Sequence, residues 1–133
     1  MEVSAYIQPY MAQKFEYGVN DCILFTSRFW EPRSGKIFKV IKNRIGIDEF
    51  NWPKSFEQLQ TVAEAHGYKN VAAMHMRLMR EIGFKPYSEK QNGDVLVDCK
   101  THTLGLYWKG MGAFLSDDGV LLTRTKIKYG WRI

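Results

Sequence analysis

Asp21 and Cys22 stand directly before an apolar run in the stretch KFEYGVNDCILFTSRFW, Lys14 to Trp30. Asn20 or Asp21 can cap a helix there, because a side-chain oxygen accepts the unpaired N–H groups of a first turn. Ile23, Phe25, Thr26, Phe29 and Trp30 then recur at the three-and-four spacing that buries one helical face. Cys22 falls in the first turn, where free N–H groups and the helix dipole favour negative charge and lower a thiol's pKa. The chemistry on offer is attack by a thiolate, which also requires a base, usually histidine, delivered by the fold. The competing reading of Cys22 is a small buried hydrophobe.

The chain has three histidines. His66 and His75 lie within helical segments, where a structural role is expected. His102 precedes a strand, the one position from which a helix–sheet cysteine–histidine pair can form. Cys99 follows DVLVD at a strand end with no positioned base, so packing is its expected role. Asp117 and Asp118 precede Gly119 and read as a hairpin turn, not a metal site. SGKIFKV lacks the first half of a phosphate-binding loop. Trp52, Trp108 and Trp131 could line a groove, but scattered aromatics in a basic domain read first as core and rim.

The elements that must position these residues follow from pattern and punctuation. A first helix is expected from Val3 to Gln13, then a turn at Gly18 and the helix that opens at Asn20 or Asp21, with Pro32 and Gly35 marking its exit. Lys36 to Pro53 is poorly patterned and reads as a long connection. SFEQLQTVAEAHG reads as a helix with Ser55 and Gln58 as a capping box and Gly67 as its stop. VAAMHMRLMREIG reads as another, capped by Asn70 and ended by Gly83. After Pro86 the pattern changes. DVLVD, TLGLYW, GAFLS and VLLT are short apolar runs punctuated by Asn92-Gly93 and Asp118-Gly119, and GWRI can close the set. Helices first and an antiparallel sheet second make an α+β domain, expected as one unit over residues 1–133.

Composition limits the partners. The chain has 133 residues, 45% of them hydrophobic, and a formal charge of +5. The basic residues are scattered through EPRSGKIFKVIKNR and LLTRTKIKYGWRI as a solvated surface would have them, without a nucleic-acid recognition motif, so no nucleic-acid partner is expected. No apolar run approaches the ~20 residues of a membrane span. The first residues lack the basic-then-apolar pattern of an export signal, so synthesis in the cytoplasm is expected. Two cysteines outside any paired motif suggest neither a disulfide framework nor a zinc site, and no cofactor is expected.

YGVNDCILFTSRFW, then NGDVLV, HTLGLYWKG, a short strand, DDGV and WRI together resemble a small uncharacterised family of phage and prophage proteins. That family is related to the NlpC-type cell-wall cysteine peptidases, whose fold is papain-like. The resemblance runs in order from Phe15 to Ile133, with nothing specific between Lys36 and Tyr87. It implies that Asp21 and Cys22 match the nucleophile motif and that Gly93 and Asp94 match the opening of the first sheet strand. The peptidase base aligns with Thr103, which puts His102 one residue early, and on a strand one residue is a face. A bulge near Thr101 would turn His102 inward. The third triad position aligns with Leu115, beside Ser116.

The resemblance therefore implies a papain-like, NlpC-type α+β fold with N-terminal helices packed on a C-terminal antiparallel sheet. It implies a virion protein of the phage tail tip or baseplate, degenerate and structural, whose partners are other tail proteins of the tip, hub or baseplate. The alternative it carries is an active cysteine peptidase or amidase that cleaves peptidoglycan peptides during infection, with Cys22 as nucleophile and His102 as base.

Overall fold

The computed structural model describes residues 2–133, in which five α-helices precede a six-stranded antiparallel sheet. Helix α1, Val3–Ile7, passes into a 3-10 turn at Gln8–Tyr10 and so stops short of Gln13. Pro9 has no N–H to carry the α-helical ladder onward. Helix α2, Cys22–Ser34, has Asp21 as its N-cap and ends at Gly35 in the left-handed conformation, with Pro32 inside its last turn.

Lys36 to Pro53 is not one long connection. Ile37–Ile45 forms α3, with Ile37, Ile41 and Ile45 buried at a four-residue interval and Gly46 as a left-handed stop. The Glu31 carboxylate accepts the Ile37 N–H at 2.9 Å, satisfying a first-turn donor that no residue of the usual capping type serves. Helix α4, Phe56–Ala65, starts where Ser55 Oγ accepts the Gln58 N–H. Gln58 reaches back one residue further than a standard box, to the Lys54 N–H. Helix α5, Val71–Ile82, is capped by Asn70, which accepts from Ala73, and stops at Gly83.

The strands are β1, Lys85–Tyr87; β2, Val95–Asp98; β3, Thr103–Trp108; β4, Met111–Ser116; β5, Gly119–Arg124; and β6, Gly130–Arg132, in the spatial order β1-β6-β2-β3-β4-β5. The last strand thus inserts between β1 and β2. Val95, Val97, Leu104, Leu106, Ala113 and Leu115 are buried at alternate positions and face the helical layer. Helix α2 packs across β3 and β4, α5 lies on β2, and α3 bridges α2 and α5. On the opposite face the Phe114 ring lies over Gly105 and Gly112. A Cβ at Gly105 would stand 2.6 Å from that ring, so the close approach requires glycine. No helix among the described residues is long and apolar enough to cross a membrane.

Candidate functional site

Asp21 holds the entrance to α2. Its carboxylate is buried and accepts three hydrogen bonds, from the Leu24 N–H at 2.8 Å, the Gly18 N–H at 2.9 Å and the Trp52 indole at 2.7 Å. The first is the expected N-cap bond. The other two clamp the loop before α2 and the segment between α3 and α4 onto the same carboxylate. Trp52, expected chiefly as core or rim, is a partner of the Asp-Cys motif, and the fold brings those residues together.

Cys22 is the first residue of α2 and only 5% exposed. Burial pushes its thiol up to about 12, and the negative charge of Asp21 adds to the rise. The Leu104 main chain on β3 and the first N–H groups of α2 pull the other way without overcoming burial. A helix N-terminus favours a thiolate, but removing the sulfur from water costs more than the helix end returns. The chain therefore faces Cys22 toward the sheet as the helix–sheet reading requires, and holds it as a neutral thiol.

His102 lies in the β2–β3 turn, with a left-handed backbone at φ 58°. No bulge interrupts the pairing on either side, since Asp98 opposes Thr103 and the ladder runs on to Val95 opposite Leu106. The left-handed residue instead sends the imidazole to the helical layer. Its ring centroid is 5.8 Å from that of Phe56, and its Nδ1 accepts the Ala72 N–H in the first turn of α5 at 3.3 Å. In the neutral ring this leaves Nε2 as the N–H donor. Among the described residues no hydrogen bond joins Cys22 to a histidine. Leu115 is buried in the core, and Ser116 Oγ donates to the Gly119 carbonyl at 2.7 Å within its own hairpin.

His66 is exposed at the end of α4. His75 is 2% exposed on α5, and neither ring nitrogen has a hydrogen-bond partner among the described residues. It lines an internal cavity of about 40 Å³ with Ile23, Thr26, Ser27, Ile41 and Leu104. Burial, with a smaller contribution from His102, pushes its pKa down to about 3. The helical period marks His75 as inward-facing, which is the signal that could have separated it from His66.

The cleft that borders Asp21, of about 600 Å³, is lined by Gly18, Leu24, Arg28, Phe38, Lys42 and Trp52, among others, and by neither Cys22 nor His102. Among the described residues no group of three or more histidine, cysteine or acidic side chains comes together to hold a metal ion. Asp94, matched above only to a strand opening, is a buried carboxylate that accepts from Arg132 Nη1 at 2.6 Å and from the Gln91 N–H at 2.9 Å. A Cβ at Gly130 would collide with that carboxylate, so glycine lets β6 close over it. Both free cysteines remain unpaired, Cys22 buried and Cys99 exposed.

A family model described as Domain of unknown function (DUF6950) matches residues 1–133. No curated protein and no solved structure matches the chain.

Proposed function

We propose a non-catalytic role for this chain, which belongs to the DUF6950 family over residues 1–133: an assembly module of a phage tail tip or baseplate, built on an NlpC-like, papain-like scaffold that has lost its chemistry. The order of helices and strands, the Asp21-Cys22 pair at the start of α2 and the Gly93-Asp94 pair before β2 support the scaffold. The observation that carries the loss of chemistry is the packing of Cys22, buried against the sheet with no imidazole bonded to it among the described residues, while His102 is held by the Ala72 N–H. Burial raises the thiol pKa accordingly. In this reading Asp21 and Asp94 survive as structural carboxylates. The protein is made in the host cytoplasm and ends in the virion, among tail-tip, hub or baseplate proteins.

Hydrolysis of peptidoglycan peptides, the alternative, needs Cys22 as a thiolate attacking an amide carbonyl and His102 moving the proton to the leaving nitrogen. Both groups would have to leave their observed partners. Release of soluble fragments from purified cell wall by the wild-type protein, abolished in Cys22→Ala and in His102→Ala, would overturn the structural reading. Under that reading the wild type releases none, and phage carrying Cys22→Ser assemble intact tails.

Alkylation gives a second check. At pH 7.5 iodoacetamide should label Cys99 readily and leave Cys22 untouched until the protein is unfolded. Besides being buried, the Cys22 thiol has a thiolate fraction roughly a thousandfold below that of an ordinary cysteine. Peptide mass spectrometry against time reads both sites, and faster labelling of Cys22 would contradict the assignment.

A further inference from the structure

A groove of about 540 Å³ runs between the end of β2 and the segment 125–129 that carries the chain from β5 to β6. Its rim holds Lys100, Arg124, Lys126 and Lys128, all exposed and none in an ion pair among the described residues. Asp98 is the single carboxylate in its lining, and that side chain is already turned to the N–H groups of Lys100 and Thr101. The floor is apolar, with Phe114 half-buried and Trp131 buried. Scattered in sequence, the four cations are brought to one rim by the fold.

The groove adjoins an open sheet edge. Strand β5 is the last in the sheet and, among the described residues, pairs with no strand on its outer side. At its beginning the Met11 main chain lies against Gly119, and among the described residues no main-chain hydrogen bond from outside the sheet reaches residues 120–124. The half toward Arg124 leads into the groove, whose lining includes Thr123 and Arg124, and Leu121 earlier on the same strand is 54% exposed. An uncovered edge strand is a template for an added strand, which bonds through its main chain and is selected through its side chains.

We infer that this groove and the free half of β5 bind an acidic, extended segment of a partner protein, its main chain continuing the sheet and its carboxylates meeting the groove cations, Arg124, Lys126 and Lys128 foremost. Single-stranded nucleic acid fits less well, because it needs successive exposed aromatic platforms. Here Tyr129 is the one exposed ring of the lining and already carries Lys128 Nζ 5.5 Å from its centroid. The inference rests on the assembly-module reading and gives that module a partner chemistry.

The test is fluorescence anisotropy at low salt with a labelled dodecapeptide of alternating glutamate and valine, set against its lysine–valine counterpart and an oligothymidylate of equal charge. The acidic peptide should bind, lose affinity about tenfold in K126E/K128E, and weaken as salt rises. K39E/K42E, the same charge change on α3, should stay within about twofold of wild type if recognition is local to the groove. Binding should slow hydrogen exchange at β5 amides. Absence of binding, tighter binding of the oligothymidylate, or equal losses in the two reversal variants would each overturn the groove assignment. Phage assembly separates this from the broader reading. Tails that form with K126E/K128E but not without the protein would sink the groove and leave the module standing. Tails that form without the protein would sink the module even if the groove binds its peptide.

Discussion

Replacing Arg132 with methionine is expected to lower the free energy of unfolding by about 3 kcal/mol, a large share of the roughly 5–15 kcal/mol that keeps a typical domain folded. Arg132 Nη1 sits 2.6 Å from Asp94 Oδ2, and the carboxylate is 1% exposed. Without the guanidinium, Asp94 keeps the Gln91 N–H but remains a buried anion without a countercharge. That penalty, more than the attraction lost, makes broken buried pairs expensive. The same substitution removes the guanidinium that stacks 3.9 Å above the Tyr87 ring and so ties β6 to β1. Methionine retains most of the stem, which separates the charge effect from a packing loss. Urea unfolding reads the change. Asp94→Asn combined with Arg132→Met should recover a good part of it, because the buried charge is then gone. A loss below about 1 kcal/mol in the single variant would show that the pair is no more than a surface bridge.

The second large effect is acid sensitivity from His75. Its folded-state pKa of about 3 lies below the ordinary histidine value of 6.5, so between those pH values the unfolded chain binds a proton that the folded chain refuses. The contribution is neutral above pH 6.5, turns against the fold as pH falls below that value, and is complete near pH 3. Stability should therefore drop by roughly 1.4 kcal/mol per pH unit through that window, or about 2 kcal/mol from pH 6.5 to 5, before most carboxylates titrate. His75→Leu should remove this slope. It should also be at least as stable as wild type at pH 7, since it replaces an imidazole with two unsatisfied nitrogens by an apolar group in an apolar cavity. Urea midpoints of both proteins across pH 7 to 5 test the claim. An unchanged slope in His75→Leu would mean that another group carries the transition.

The local grammar of this chain is legible without a structure because its signals act within a few residues. Asp21, Ser55 and Asn70 cap the helices that follow them, Gly35 and Gly83 stop helices, and the apolar runs after Pro86 become strands close to their expected bounds. Helix α3 was equally local. Its Ile37, Ile41 and Ile45 repeat was present in the chain, but its first turn takes its cap from Glu31, which belongs to the preceding helix and carries no capping signature there.

The state of the candidate site was decided elsewhere. Cys22 has the helix-terminal position that favours a thiolate, yet its protonation is set by how completely the sheet covers it, and burial is a property of the packed layers. His102 stands one residue from the aligned base position, but what directs its ring is a left-handed turn that presents it to Phe56 and Ala72, both distant in sequence. Asp94 and Arg132 lie 38 positions apart and meet only because β6 inserts between β1 and β2. Capping and periodicity depend on neighbours along the chain and can be read from it. Desolvation, ring orientation and ion pairing depend on neighbours in space, which the chain acquires only when its helices close over the sheet.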